Sequence, residues 1–266
     1  MRKSNLFWGM ILVLGGVVLL LNTTGILRVS VWSVIFPLFL VVLGLWFVVG
    51  PLLFKNETLE TQTIHIPLEG ALRARLKLEH GAGRIQLDAL QQETTNLLEG
   101  TFMGAVEQKV LRTEGQIKAR LKVDVASFFG VPTVNVGGMD WDIHLSRGIP
   151  IELKLSSGAS ESILDLRELQ ITELELNTGA SRTEVTLPAA AGFTKVDVEA
   201  GAAEVVLRVP DGVAASIKMD IGLSGKTINL DRFPQTGAGY ESADYATAAN
   251  RVLITVEAGI GSISIL

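Results

Sequence analysis

The chain has 266 residues, 48% of them hydrophobic, and contains no cysteine, which excludes disulfide bonds, thiolate nucleophiles and cysteine metal sites. Up to Phe54 the only charged side chains are Arg2, Lys3 and Arg28, so the remainder carries 20 of the 23 basic residues and all 28 acidic residues. The resulting net charge of −8 in that remainder disfavours binding to nucleic acid and broad attraction to anionic lipid.

Two uncharged, apolar stretches, residues 6–21 and 30–54, occupy the N-terminal part of the chain. Each approaches the roughly 20 residues that span a bilayer core, and turn-forming residues lie between them. The sequence therefore predicts a two-helix transmembrane hairpin over residues 1–55, followed by a linker over 56–60. Because Lys and Arg flank the outer ends of the hairpin, we expect a two-span protein of the bacterial cell membrane, with the lipid bilayer as a partner and the rest of the chain in the cytoplasm.

The same N-terminal pattern allows two other interpretations. Arg2 and Lys3 before an apolar run also resemble the start of a cleaved secretory signal, although no Ala-x-Ala site follows. Gly9 and Gly16 lie seven residues apart, on one face of the first predicted helix, where they would allow a second helix to approach closely. They are equally consistent with small residues that face lipid, so their role in an interaction is a hypothesis.

From residue 61 onwards, apolar residues alternate with polar ones in short runs that are separated by small residues. Gly158, Gly179 and Gly201 lie 21 and 22 residues apart, and Gly222 follows after another 21. A fixed period indicates a stacked unit that buries its apolar face only against neighbouring units. We therefore predict that residues 61–266 form an all-β domain, a β-solenoid-like stack of glycine-hinged repeats.

Glycine is expected at the turn of each repeat because it adopts positive φ without strain. The predicted turn glycines are Gly81, Gly83, Gly158, Gly179, Gly201, Gly259 and Gly261.

Stacking turn over turn also predicts which side chains become neighbours. The predicted outward column comprises Lys154, Glu175, Asp197 and Lys218, and the predicted inward column comprises Leu155, Leu176, Val198 and Met219. In this alignment Lys154 meets Glu175, and Lys218 meets Asp197.

Residues 126–139 interrupt the period and contain no charged side chain. Phe128 and Phe129 make this segment a hypothetical element for docking a partner or touching a membrane. The alternative is a loop that folds over an open end of the β stack.

The sequence contains no convincing arrangement for catalysis. His65, His80 and His144 lie far apart along the chain and would form a site only if folding brought two of them together. The glycine motif at 81–83 is not a phosphate-binding loop, because no Lys-Ser/Thr pair follows it. Serines lack identifiable His and Asp partners, and carboxylates are scattered. We therefore expect no catalytic residue, no cofactor and no metal site, and hence no enzyme.

The order of these elements resembles the bacterial cell-wall-active antibiotic response family, whose members join membrane helices to a β-repeat domain called toastrack. The motifs that carry the resemblance are Trp141-x-Ile143-x-Leu145, Ile149-Pro150, Gly158-Ala159-Ser160, Gly179-Ala180-Ser181 and Gly259-x-Gly261. In addition, residues 19–22 and 32–44 look like the membrane segment of envelope-stress proteins of the Lia type.

The resemblance implies a membrane-anchored, non-enzymatic accessory regulator of envelope-stress signalling, which contacts a sensor kinase or a related membrane partner. The alternative function is a self-associating scaffold, a homo-oligomer built by stacking of β domains between copies.

Overall fold

The computed structural model describes residues 13, 16, 36, 37, 39–41, 61–92, 95–123, 139–237 and 239–266. The chain divides into two compact units. One unit comprises residues 1–58 and 124–135, and the other comprises residues 59–123 and 136–266. Every strand given below lies in the second unit. The predicted boundaries at residues 55 and 60 fall outside the described residues and stay predictions.

The described residues of the first unit are helical and exposed: Val13, Gly16, Phe36, Pro37, Phe39, Leu40 and Val41. Within the described part of the chain, no helix has the length and apolar character needed to cross a bilayer. On this finding the predicted two-helix hairpin and the two-span membrane localisation are wrong. Gly9, Phe128 and Phe129 lie outside the described residues, and their predicted role in interactions stays a prediction.

The second unit is built from β-strands. The first seven are β1 (Thr61–Pro67), β2 (Arg73–Ala89), β3 (Asn96–Met103), β4 (Val106–Thr113), β5 (Gln116–Val123), β6 (Trp141–Leu145) and β7 (Ile151–Asp165). The others are β8 (Ile171–Thr178), β9 (Arg182–Thr186), β10 (Phe193–Arg208), β11 (Ala214–Ile228), β12 (Gln235–Thr236), β13 (Gly239–Glu241) and β14 (Arg251–Ile265). The prediction of an all-β domain from residue 61 is confirmed for these residues.

The long strands stack in parallel, in the order β2, β7, β8, β10, β14, β11. The short β9 takes the place of a second half of β8, because it pairs with β7 and β10. An antiparallel hairpin of β4 and β5 joins the first half of β2, and β6, β3 and β1 follow its second half. The final strand β14 is thus inserted between β10 and β11.

In each long strand, the side chains that face the core switch between even-numbered and odd-numbered positions. The switch occurs at the glycine motif. In β2 the buried side chains stand at even positions from 74 to 80, and at odd positions from 85 to 89. In β14 they stand at even positions from 252 to 258, and then at 263 and 265. Since successive side chains of a strand point to opposite faces, this shift lets one continuous strand line two sides of the core.

The repeat glycines form a ladder through the stack, which we call the glycine ladder: Gly81, Gly158, Gly179, Gly201, Gly259 and Gly222, in stack order. A Cβ built on Gly179 would lie 2.8 Å from the carbonyl oxygen of Gly158, and one on Gly201 would lie 3.1 Å from that of Gly179. Of the predicted turn glycines, Gly83 and Gly261 have positive φ, 122° and 138°. Close approach of the neighbouring backbone is therefore what requires glycine along the ladder.

The predicted columns are partly confirmed. Lys154 is the register partner of Glu175, and the two form an ion pair. Lys218 does not meet Asp197, because both are register partners of Thr255 in the inserted strand β14. The regular 21-residue spacing continues to Gly222 along the sequence, but the stack does not follow sequence order at that point.

Candidate functional site: a basic face on the first strands of the stack

Four cations from four adjacent strands form a row on the outward surface. Lys109 of β4 is the register partner of Arg120 of β5. Arg120 is in turn the register partner of Lys77 in β2, and Lys77 is the register partner of Lys154 in β7. Neighbouring strands lie about 4.8 Å apart, and like charges at directly opposed positions repel. Positive charge is thus concentrated at one end of the stack, although the whole chain carries a net charge of −5.

We define the basic face by the side chains of Arg75, Lys77, Lys109, Lys118, Arg120 and Lys122.

Carboxylates offset part of the repulsion. Arg120 Nη2 donates to the two carboxylate oxygens of Glu79, at 2.9 and 2.7 Å, and Lys77 Nζ lies 2.7 Å from Glu79 Oε1. The hydrogen bond from Arg120, followed by that from Lys77, holds the pKa of Glu79 below its ordinary value. Arg75 pairs in the same way with Glu152 of β7.

Three lysines of the basic face form no ion pair within the described part of the chain, although Glu107 is the register partner of Lys122. Lys109, Lys118 and Lys122 make no ion pair with any described residue. Beside them Leu111, the register partner of Lys118, has 55% of its surface exposed. An apolar side chain among uncompensated lysines is suited to an acidic partner surface that also carries an apolar group.

The basic face is concave in two places. One open cleft is lined by Arg75, Lys77, Lys109, Leu111, Lys118, Ala119 and Arg120. A second is lined by Glu107, Lys109, Arg120 and Lys122. The first lies where β4 and β5 meet the outward surface of β2, and the second is lined by β4 and β5 alone, so the hairpin supplies most of the charge of both.

Folding brings two of the three histidines onto one row. Glu99 is the register partner of both His65 and His144, and His144 also pairs with Asp88 through Nδ1 and lies 3.7 Å from Asp142. Within the described ranges, however, no group of three metal-ligating side chains is close enough to hold an ion. The row supplies a side-chain hydrogen bond between His144 and Asp88 on the surface of the sheet.

His80 is placed differently, inside the stack next to the glycine ladder. Its Nε2 lies 2.8 Å from the carbonyl oxygen of Met139, and only a ring nitrogen that carries hydrogen can donate to that oxygen. The ring packs edge-on against Trp141, with centroids 4.9 Å apart. Burial lowers the pKa of His80 below its ordinary 6.5, although Met139 and the charge of Asp140 act in the opposite direction.

We expect this lowered pKa to make the fold sensitive to acid. Below pH 6.5 the unfolded chain binds a proton at His80 more readily than the folded chain does, so the free energy of unfolding falls as the pH falls from 6.5 towards the lowered value. Well above pH 6.5 His80 is neutral in both states and contributes no pH dependence. Urea unfolding of the wild type and of His80→Gln at pH 7.5, 6.5 and 5.5 measures this, and the variant should lose less stability across the series. Parallel losses in the two proteins would contradict it.

Sequence reasoning missed the basic face. The alternating cations of β2 and β5 were readable, but not the parallel pairing that places these two strands side by side.

Comparison with known proteins identifies the fold. The chain matches the family model of the N-terminal domain of toast_rack, DUF2154, over residues 54–208, which is more than half of its length. None of the curated proteins matches the chain.

Two solved structures are similar over most of their length. A candidate cell adhesion protein from Clostridium sporogenes shares 24% sequence identity with a TM-score of 0.68, covering 77% of this chain and 98% of that protein, and this likeness concerns the fold. A candidate adhesin from Bacteroides fragilis shares 8% identity with a TM-score of 0.32, covering 78% of this chain and 97% of that protein. By the match to the family model, the chain belongs to the family of the N-terminal domain of toast_rack, DUF2154.

Proposed function

We propose that the chain is a non-catalytic binding module that regulates envelope-stress signalling, and that the basic face contacts an acidic surface of a sensor kinase or a related partner protein. The observation that carries the proposal is the row of cations on adjacent strands together with three lysines that have no ion pair among the described residues. Such an arrangement costs the fold stability through repulsion, and an acidic partner removes that cost.

Two further observations support a binding function. The parallel stack fixes its outward side chains on strands instead of loops, so the basic face is preorganised for a partner. The toastrack fold also occurs in the candidate cell adhesion protein from Clostridium sporogenes, and adhesion is likewise a function of contact and not of chemistry. The signalling role itself rests on the resemblance of the motifs to the antibiotic response family.

A pull-down of the intact chain from cells treated with a cell-wall antibiotic tests the proposal. We expect wild type to recover a sensor kinase or its associated protein, and the Lys109→Glu/Lys118→Glu variant to lose it, because two uncompensated cations become anions. Lys218→Glu on β11 is the matched control, since this exposed lysine lies at the other end of the same stack. Equal recovery by all three proteins would contradict the assignment of the basic face.

The second candidate function is a self-associating scaffold. This function is supported by the outer edge of β11. Within the described residues, β13 covers that edge only at Ser216 and Ile217. Leu223 of the same strand is 84% exposed. Recovery of the chain alone in the same pull-down, together with concentration-dependent oligomers of wild type, would favour the scaffold. A partner recovered by a monomeric chain favours the regulator.

A further inference from the structure

The hairpin strand β4 has an edge that no described strand covers, although Val106 N–H at its start donates to Oε1 of Gln62. Among the described strands it pairs only with β5, in antiparallel register from Val106 to Thr113. Half of the backbone N–H and C=O groups of such a strand point away from its neighbour, which leaves a template for one more strand. At eight residues β4 is long enough to form a full ladder with an added segment.

Both surfaces of β4 are accessible along this edge. Six of its eight residues are exposed, and Val106 and Val110 are half-buried. An extended segment laid beside β4 beyond Val106 would therefore place alternate side chains on each surface. On the outward surface its neighbours would be Glu107, Lys109, Leu111 and Thr113, among which Lys109 is the cation and Leu111 the apolar side chain.

These neighbours specify the chemistry of the segment. Lys109 has no ion pair among the described residues and lies beside Arg120, so a carboxylate opposite Lys109 would gain attraction from both. Leu111 stands two residues further along, on the same surface, and is 55% exposed. An apolar side chain two residues from the carboxylate would cover it.

We propose that β4 takes up an extended acidic segment of the partner protein as an additional strand, with an acidic residue opposite Lys109 and an apolar residue opposite Leu111. This inference rests on the proposed function, because it assigns the way in which the basic face holds its protein partner. Backbone hydrogen bonds along β4 supply affinity, and the two side-chain positions supply selectivity.

A lysine in an edge strand also serves to prevent unwanted strand pairing. That role makes the edge repel every added strand that lacks a complementary charge, whereas an acidic segment turns the same lysine into an attractive contact. The two roles differ in their response to an acidic peptide.

The test uses the full-length chain and the blocked peptide acetyl-Thr-Glu-Thr-Leu-Thr-Glu-Thr-amide, which places its acidic and apolar side chains on one face when extended. A peptide with lysine in place of glutamate is the charge control. A third peptide keeps the glutamates but carries a methyl group on every internal amide nitrogen, so it retains its charge and cannot form a ladder.

We expect the first peptide to bind, to slow amide hydrogen exchange in β4, and to bind roughly tenfold more weakly to Lys109→Glu. Binding to Lys218→Glu should be unchanged. The lysine peptide and the methylated peptide should not bind.

Equal binding of the methylated and unmethylated acidic peptides would overturn the inference, since charge alone would then account for binding. Absence of binding by the acidic peptide would also overturn it. Neither result decides the proposed function, which the pull-down of the whole partner tests separately.

Discussion

Replacing Gly179 by alanine should destabilise the chain by about 1–3 kcal/mol, because it forces a methyl group into the neighbouring backbone. The added Cβ would lie 2.8 Å from the carbonyl oxygen of Gly158 and 3.4 Å from its carbonyl carbon. That oxygen belongs to the main chain of a paired strand, so no side-chain rotation relieves the contact. Urea unfolding of the full-length variant, followed by the circular dichroism of its β structure, measures the loss.

Gly225→Ala is the matched control for this prediction. Gly225 lies in β11 beyond the glycine ladder, and a Cβ built there would stand 3.9 Å from the carbonyl oxygen of Gly261, an ordinary contact distance. Its free energy of unfolding should stay close to that of wild type. If both substitutions lower the free energy of unfolding equally, the close backbone approach along the glycine ladder is not what requires glycine there.

Replacing Leu176 by alanine should cost about 2–5 kcal/mol, the usual range for truncating a buried leucine. Leu176 has no exposed surface and lies in register between Leu155 of β7 and Val198 of β10. Strands on both sides hold these neighbours in place, so the cavity cannot close fully. The midpoint of urea unfolding should fall, with little change in its slope.

Glu175→Ala is the control one residue away. Glu175 faces outward and pairs with Lys154, and both side chains are 37% exposed. Hydrogen bonding to Glu175 raises the pKa of Lys154, but an ion pair at this exposure contributes only about 0–1 kcal/mol. Similar losses from the two substitutions would show that the assignment of inward and outward positions is wrong.

The repeat and its core were predictable because they depend on local pattern. Alternation assigned Leu155, Leu176 and Val198 to one buried column, and the structure pairs them in that order. The glycine spacing indicated the stack. The reason for glycine was not predictable, since the sequence does not reveal that the carbonyl oxygen of Gly158 faces Gly179 across the stack.

Polar residues inside the stack weakened the pattern near the glycines. Ser162 and Thr183 are fully buried at the positions that Ile85 and Val205 occupy in neighbouring strands. Small hydroxyl side chains fit these positions, but their polarity obscures the alternation that reveals a strand. In these strands the leucines are therefore what indicates which positions face the core.

The candidate site was not predictable from the sequence, because it depends on pairing between strands that are distant along the chain. Lys77 and Arg120 become neighbours through a parallel pairing of β2 with β5, and 42 residues separate them along the chain. Likewise, insertion of β14 between β10 and β11 removes Lys218 from Asp197. Neither arrangement follows from periodicity, because a repeat specifies the unit and not the order in which distant units stack.

Partner recovery by the Lys109→Glu/Lys118→Glu variant tests directly whether the basic face binds a signalling partner. The intact wild-type chain, Lys109→Glu/Lys118→Glu and Lys218→Glu should be compared at equal abundance and equal unfolding midpoint, with captured proteins quantified by mass spectrometry. We expect wild type and Lys218→Glu to capture the same signalling partner, and the basic-face variant not to capture it. Undiminished capture by Lys109→Glu/Lys118→Glu would contradict it.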